Sequence, residues 1–205
     1  MIAGPVTLLI IIYGNWPFLG LIAGGAVISL FEFMQMERKD PHFLRNMPLW
    51  CVYTLLCAYS FIHLRLEFES GLFLVLALML TVWACDTGAY FSGKSIGGPK
   101  MAPKLSPNKT WAGLIGGMVC SGLILMAFDL GKDIFAAHPA IVFLTGFVLG
   151  AVGQVGDVLI SSIKRRVGVK DTGHILPGHG GLLDRIDSLL LVTPVFLIAC
   201  RAWLI

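Results

Sequence analysis

Charged residues are scarce in this sequence of 205 residues. Lysine and arginine contribute 15 and aspartate and glutamate 12, so 13% of the chain is charged, about half of the roughly 25% found in soluble domains. Hydrophobic residues make up 57% and the mean hydropathy is +0.84. This composition excludes an ordinary soluble domain and indicates a membrane protein. The chain also has no basic arm or acidic tail, so nucleic acid is not an expected partner.

Paired cysteines are absent as well. None of the five cysteines belongs to a Cys-x-x-Cys pair, which excludes the common pattern for a zinc site or a dithiol redox centre. Each lies within or beside an apolar run, so we interpret them as packing residues. They are Cys51, Cys57, Cys85, Cys120 and Cys200.

Long apolar runs dominate the sequence. A membrane-spanning helix needs about 20 mostly apolar residues, and six or seven runs approach that length. The first is short, and a turn signal at residues 14–17 follows it, so residues 1–36 form either a tight hairpin or one span with a re-entrant start. We therefore predict an all-α integral membrane protein with about six to seven transmembrane helices. The runs cover 2–13, 17–36, 47–64, 71–92, 112–130, 140–161 and 188–205.

Basic residues alternate between the connections. Because lysine and arginine are enriched in cytoplasmic loops, the basic connections should face the cytosol. The catalytic loops described below are therefore predicted to lie on the cytoplasmic side. The counts of basic residues are three in 37–46, one in 65–70, four in 93–111, one in 131–139 and five in 162–187.

Glycines recur at a spacing that suits close helix packing. The pairs Gly113/Gly117 and Gly146/Gly150 are four residues apart and lie on one face of their predicted helices. Small residues at this spacing let membrane helices approach closely. We predict helix contacts at both pairs.

Four aspartates lie near the same predicted face of the membrane. A charge inside a spanning helix is costly and is therefore a candidate for function. Asp86 and Asp157 lie within about two turns of the cytoplasmic ends of their spans. Asp184 and Asp187 begin the last span, three residues apart on one helical face, and Asp171 lies in the preceding loop.

Basic residues surround these carboxylates and suggest the chemistry. Neighbouring carboxylates require cations between them, and oxygen ligands suit a hard ion such as Mg²⁺. Basic groups around a metal centre neutralise a polyphosphate substrate. The pattern indicates phosphoryl or nucleotidyl transfer from a cytosolic nucleotide to a lipid. The basic residues are Lys94, Lys100, Lys104, Lys109, Lys164, Arg165, Arg166, Lys170 and Arg185.

The segment from residue 154 to 187 carries the most specific pattern. It contains Gln154-Val155-Gly156-Asp157, Ser162-Ile163-Lys164-Arg165, Lys170-Asp171, Leu176-Pro177-Gly178-His179-Gly180-Gly181 and Leu183-Asp184-Arg185-Ile186-Asp187. In residues and spacing it resembles the signature of the phosphatidate cytidylyltransferases, or CDP-diacylglycerol synthases. Two further stretches are similar to this family: residues 83–90 with Gly93-Lys94, and residues 105–111.

The resemblance implies a membrane enzyme that joins CTP and phosphatidic acid into CDP-diacylglycerol and pyrophosphate. It implies metal ligands at Asp157 and Asp184 for Mg²⁺, with a second cation left open. Asp187, Lys164 and Asp171 are expected to complete the catalytic set. The expected substrate-binding residues are Asp86, Lys94, Lys109, Ser162, Arg165, Lys170, His179 and Arg185.

The resemblance covers residues 80–190 well and the first 70 residues loosely. We expect a single polytopic domain over 1–205, with N-terminal helices in 1–70 and the catalytic half in 71–205. Two departures stand out: Ala112 lies where the family commonly has glutamate, and the chain is short for the family. The expected location is a bacterial inner (plasma) membrane, with the bilayer as partner and a homodimer left open.

Two features remain open from the sequence. Asp86 is expected either to approach the metal centre or to orient a lysine. The loop from Lys94 to Lys109, interrupted by glycines and prolines, is either a lid over the nucleotide or a solvated loop.

Three other functions compete with this interpretation. A CTP-dependent kinase of a lipid alcohol such as dolichol or phytol would combine the same parts but release CDP. An ion-coupled transporter would place its carboxylates near the bilayer midplane, often in related halves, whereas these lie at one edge and no internal repeat is visible. A purely structural membrane subunit would not require the pattern in residues 162–187.

Overall fold

The computed structural model describes residues 3–38, 40–103, 105–132, 134–135, 137–173, 175 and 180–204. Within these ranges the chain forms seven helices and one antiparallel hairpin. The predicted all-α class is confirmed, and the hairpin is an addition to it. The elements are α1 (Ala3–Tyr13), α2 (Asn15–Glu37), α3 (Phe43–Leu66), α4 (Gly71–Ser95), β1 (Lys100–Ala102), β2 (Ser106–Thr110), α5 (Trp111–Lys132), α6 (Pro139–Arg166) and α7 (Leu183–Leu204).

Six of these helices, α2 to α7, are long and apolar enough to cross a membrane. Helix α1 has 11 residues and is about 16 Å long, well short of the roughly 30 Å hydrocarbon core of a bilayer. The described residues thus contain six candidate spans, the lower of the two numbers predicted from the sequence.

The chain breaks between α1 and α2 at Gly14 and Asn15. Their φ angles are 72° and 50°, in the left-handed region, where an α-helix cannot continue. A Cβ on Gly14 would lie 2.5 Å from the guanidinium of Arg65. Arg65 Nε donates to the backbone oxygen of Ile11 at 3.1 Å, which satisfies a carbonyl left free at the end of α1. Residues 3–37 are therefore two helices joined by a tight turn.

The hairpin replaces what the sequence suggested was an irregular loop. Strands β1 and β2 pair antiparallel, with Lys100 opposite Thr110 and Ala102 opposite Ser106. Gly97 and Gly98 have φ angles of 69° and 92°, so the chain leaves α4 in a conformation that favours glycine. The Thr110 hydroxyl accepts a hydrogen bond from the amide of Gly113 at 3.0 Å, which caps the start of α5.

Helices α4, α5 and α6 approach one another through glycines. A Cβ on Gly113 or Gly117 would lie 2.9 or 2.8 Å from a backbone oxygen of α4. A Cβ on Gly146 or Gly150 would lie 2.7 or 2.9 Å from backbone atoms of α5. The predicted contacts at both glycine pairs are confirmed.

Three connections lie at one end of the bundle, which we call the polar end: residues 38–42, 96–110 and 167–182. Beneath it, a buried apolar cluster joins α2, α3, α6 and α7. Phe33 and Trp50 stack with their ring centroids 4.4 Å apart, and Ile160, Leu183 and Leu190 belong to the same cluster. This packing positions the polar ends of four helices relative to one another.

Candidate active site

Helices α6 and α7 meet at Gly156, and this contact places two carboxylates side by side. A Cβ on Gly156 would lie 2.9 Å from the backbone oxygen of Asp187, so a larger residue would separate the helices. Asp157 consequently lies beside Asp187, close enough for the two carboxyl groups to interact directly. Helix α7 begins at Leu183, before the apolar run that starts at residue 188, and Asp184 and Asp187 lie at its start as predicted. Its first two turns therefore present both Asp184 and Asp187 to the site.

Asp184 is held by several donors. Its Oδ1 lies 2.6 Å from Lys164 Nζ. Its Oδ2 accepts hydrogen bonds from the Thr172 amide at 2.8 Å, the Thr172 hydroxyl at 3.1 Å and the Gly181 amide at 3.2 Å. Both oxygens of Asp184 are thus occupied by groups of the protein itself.

Lys109 connects the hairpin to the bundle. Its Nζ in β2 lies 2.5 Å from Asp157 Oδ2 in α6, and the Ser161 hydroxyl donates to Asp157 Oδ1 at 3.2 Å. Asp86, on α4, is near enough to interact electrostatically with both Lys109 and Asp157. The loop from Lys94 to Lys109 was predicted to be either a lid or a solvated loop. The structure shows the β1–β2 hairpin there, attached to α6 by the ion pair between Lys109 and Asp157.

The site thus gathers six of the predicted residues into one network of carboxylates and lysines. Lys109 contacts Asp157, Asp157 contacts Asp187, and Lys164 lies near both Asp187 and Asp184. Both expected metal ligands belong to this network, although a lysine lies against each of them. The gathered residues are Asp86, Lys109, Asp157, Lys164, Asp184 and Asp187.

Two of the other predicted residues, Lys94 and Arg165, contact groups other than these carboxylates. Lys94 lies over the Tyr90 ring, 5.6 Å from its centroid, and Arg165 donates to the Val169 oxygen at 3.3 Å. Ser161, and not Ser162, contacts Asp157. Lys170, Asp171 and Arg185 are exposed at the polar end, and His179 lies outside the described residues.

Several carboxylates that the sequence analysis passed over have structural partners here. Glu32 on α2 is fully buried and accepts hydrogen bonds from the start of α7. Glu37 and Asp40 form ion pairs with Arg166, at 2.9 Å for Asp40. The signal for Glu32 was present, because a glutamate within the predicted span 17–36 is as costly as the aspartates singled out.

An apolar cavity of about 320 Å³ lies next to the network, between α1, α2, α3, α4 and α7. Arg185 lines it together with apolar residues such as Phe18, Phe61 and Leu189. The buried hydroxyls of Ser29 and Thr54 also line it, and neither has a hydrogen-bond partner among the described residues. The cavity combines an apolar interior with a cationic side chain.

The donor chemistry can be compared with what Mg²⁺ requires. Within the described ranges, no three His, Cys, Asp or Glu side chains are grouped so as to hold an ion by themselves. Mg²⁺ is, however, usually bound by one or two carboxylates, with water and substrate phosphates completing its shell. The neighbouring carboxylates of Asp157 and Asp187 fit that requirement. Magnesium binding therefore stays a prediction.

Comparison with known proteins identifies the family. The sequence model of the family described as "Cytidylyltransferase family" matches residues 47–203. The chain belongs to the cytidylyltransferase family. The matched region contains four of the six candidate spans, most of a fifth, and every residue of the carboxylate–lysine network. The predicted family resemblance is thereby confirmed.

Relatives in this family share the name "Phosphatidate cytidylyltransferase". The chain is 32% identical to the one from Rickettsia typhi over 204 residues, covering 87% of this chain and 90% of that protein. It is 41% identical to the one from Bacillus subtilis over 84% of this chain and 65% of that protein. It is 43% identical to the one from Haemophilus influenzae over 66% of this chain and 50% of that protein. The matches thus span between half and nine tenths of these relatives.

Proposed function

We propose that this chain is a phosphatidate cytidylyltransferase, which transfers the cytidylyl group of CTP to phosphatidic acid. The observation that carries the proposal is the relative named for this activity, which matches the chain over 90% of its own length. The network of carboxylates and lysines at one end of a helical bundle supports it, because such a site suits a polyphosphate.

In the proposed reaction, an oxygen of the lipid phosphate attacks the α-phosphorus of CTP. A bond forms between that oxygen and the α-phosphorus, and the bond from the α-phosphorus to the β-bridging oxygen breaks. Pyrophosphate leaves with the bonding electrons. Because the lipid phosphate is already anionic at neutral pH, no strong general base is required, and positioning with charge neutralisation carries the catalysis.

The residues of the network divide these tasks. Lys109 and Lys164 are the cations nearest to the carboxylates, and we assign them to the CTP phosphates. Asp157 and Asp187, with Asp184 as the other predicted ligand, would hold Mg²⁺ when substrate phosphates complete its shell. Bound there, the ion would neutralise charge that develops on the phosphoryl oxygens.

The apolar cavity supports a lipid acceptor. Arg185 at its wall offers a cation for the lipid phosphate, and the apolar lining offers room for part of an acyl chain. We place the polar end in the cytoplasm and the helices in the inner membrane, as the distribution of basic residues predicts. A homodimer stays a prediction.

The decisive experiment is a product analysis. Purified protein in detergent is incubated with Mg²⁺ and CTP labelled in parallel at the α- or γ-phosphate, with phosphatidic acid in one set of reactions and a lipid alcohol such as dolichol in another. We expect α-label in a liponucleotide and γ-label in pyrophosphate. Release of CDP together with transfer of γ-label to a lipid alcohol would instead identify a kinase, and turnover of neither label would contradict both enzymes.

A further inference from the structure

Glu32 connects α2 to the start of the catalytic helix α7. Its side chain is fully buried. Its Oε1 accepts a hydrogen bond from the Leu182 amide at 2.9 Å, and its Oε2 accepts one from the Leu183 amide, also at 2.9 Å. The Thr172 hydroxyl lies 3.2 Å from the same Oε2. One carboxylate therefore links Thr172, within the segment that joins α6 to α7, to the start of α7.

Hydrogen-bond donors surround the side chain of Glu32. A buried carboxylate is costly unless donors satisfy its oxygens. Here the first amides of α7, which have no partner within their own helix, donate to it. The contacts thus compensate for burial while they fix where α7 begins.

Two glycines leave the space that this arrangement requires. A Cβ on Gly173 would lie 2.9 Å from Glu32 Oε1. A Cβ on Gly181 would lie 2.7 Å from Glu32 Oε2 and 2.1 Å from the Thr172 hydroxyl oxygen. The connecting segment is therefore shaped around this carboxylate.

The same contacts lead directly to the active site. Thr172 lies between two carboxylates, because its hydroxyl is 3.2 Å from Glu32 and 3.1 Å from Asp184. Its amide, like that of Gly181, donates to Asp184 Oδ2. A shift of α7 relative to α2 would therefore move Asp184 and, one turn later, Asp187.

We propose that Glu32 is a positioning residue of the transfer reaction, which sets the start of α7 and thereby the geometry of Asp184 and Asp187. The proposal rests on the proposed function. Glu32 touches neither reacting phosphate; it acts through Thr172 and the α7 amides. Loss of Glu32 should consequently lower kcat while leaving the binding of both substrates largely unchanged.

The alternative is that Glu32 only stabilises the fold, and the chain offers a matched control. Asp129 is also a buried carboxylate, 5% exposed. It accepts hydrogen bonds from the amides of Ile134 and Phe135 at 3.0 and 2.8 Å, between α5 and α6 and away from the polar end. Asp129→Asn therefore removes the charge of a buried carboxylate away from the polar end, while its Oδ1 can still accept both hydrogen bonds.

The experiment compares Glu32→Gln with Asp129→Asn in the full chain. Steady-state kinetics is measured per folded enzyme, and hydrogen–deuterium exchange is followed in the peptide that contains residues 180–188. For Glu32→Gln we expect kcat to fall at least about tenfold with both KM values within about threefold, and faster exchange at the start of α7. For Asp129→Asn we expect neither change.

Thr172→Val covers the case in which Glu32→Gln does not fold. It removes the hydroxyl between Glu32 and Asp184 but keeps the buried carboxylate, and it should lower kcat in the same way. A normal kcat per folded enzyme in Glu32→Gln, or in Thr172→Val where only that variant folds, overturns the proposal. A wild-type chain that makes no liponucleotide would contradict the proposed function. In that case, faster hydrogen–deuterium exchange at the start of α7 in Glu32→Gln, and not in Asp129→Asn, would still support Glu32 as the anchor of α7.

Discussion

At the scale of single residues, the polar end shows how a membrane protein compensates buried charge. Asp157 is paired with Lys109, and Asp184 with Lys164 and three further donors. Asp187 contacts Asp157, and the repulsion between the two acids is offset by the lysines nearby and by hydrogen bonds from Ser161 and Ser188. A divalent cation brought with CTP would be favoured at such a position.

Asp157→Asn should abolish magnesium-dependent transfer. The change removes one charge from the Asp157–Asp187 pair but keeps a side chain of the same size. We expect at least a ~100-fold loss of kcat/KM with an unfolding midpoint close to that of the wild type. Asp129→Asn, distant from the polar end, is the control for any general effect of losing a carboxylate. Near-normal turnover of Asp157→Asn would remove this residue from the proposed metal site.

Lys164→Ala should weaken the use of CTP. The lysine is the cation on Asp184, and its loss removes a charge contact from the transition state. We expect a cost of about 2–4 kcal/mol in kcat/KM, or roughly 30- to 900-fold. Lys132→Ala serves as the control, because Lys132 lies over the Phe73 ring, 4.4 Å from its centroid, at the end of α5. If thermal stability alone changed in Lys164→Ala, the role of this lysine would be structural.

At the scale of elements, the site depends on how closely α6 and α7 approach. The contact at Gly156 places Asp157 beside Asp187, and the buried cluster of Phe33, Trp50 and Leu190 supports the same helices from below. The β1–β2 hairpin, a third element, then places Lys109 against Asp157. No single helix contains the site.

Gly156→Ala tests this element-scale dependence. The new Cβ would lie 2.9 Å from a backbone oxygen of α7, so the helices must move apart. We expect overpacking to lower the free energy of unfolding by about 1–3 kcal/mol. We expect kcat/KM to fall by a larger factor than the fraction of folded enzyme does. Gly24→Ala is the control, because nothing lies within 4 Å of a Cβ built there. Wild-type activity of Gly156→Ala would show that the Asp157–Asp187 spacing is not critical.

At the scale of the whole molecule, the bundle separates two chemically different ends. The sequence segments around the polar end, 37–46, 93–111 and 162–187, contain 12 of the 15 basic residues, and the other end carries Arg65, Glu67, Glu69 and Lys132. Because the proposed reaction uses cytosolic CTP, we expect the polar end to face the cytoplasm.

Cysteine labelling tests this orientation. In a variant without native cysteines, Lys100→Cys places a thiol in the hairpin and Glu69→Cys places one at the opposite end, both at exposed positions. We expect a membrane-impermeant maleimide to label Glu69→Cys in cells with a permeabilised outer membrane and Lys100→Cys only after lysis. The reverse pattern would place the active site on the outer face.

Much of the architecture could be predicted from composition and local pattern. Runs of apolar residues predicted the spans because a bilayer sets the length of a helix that crosses it. Helix α7 extends beyond its apolar run into polar residues, and the prediction that Asp184 and Asp187 lie at its start is confirmed. The hairpin was missed because strands of three and five residues leave no periodic signal.

The candidate site was likewise predicted only in part from the sequence. Asp157, Lys164 and Asp184 stood out locally, since charged residues near or within apolar runs are rare and costly. Their pairing, the contact between Asp157 and Asp187 and the role of Glu32 were decided by packing between helices. Such contacts join positions up to 151 residues apart, and local spacing carries no information about which distant side chains will meet.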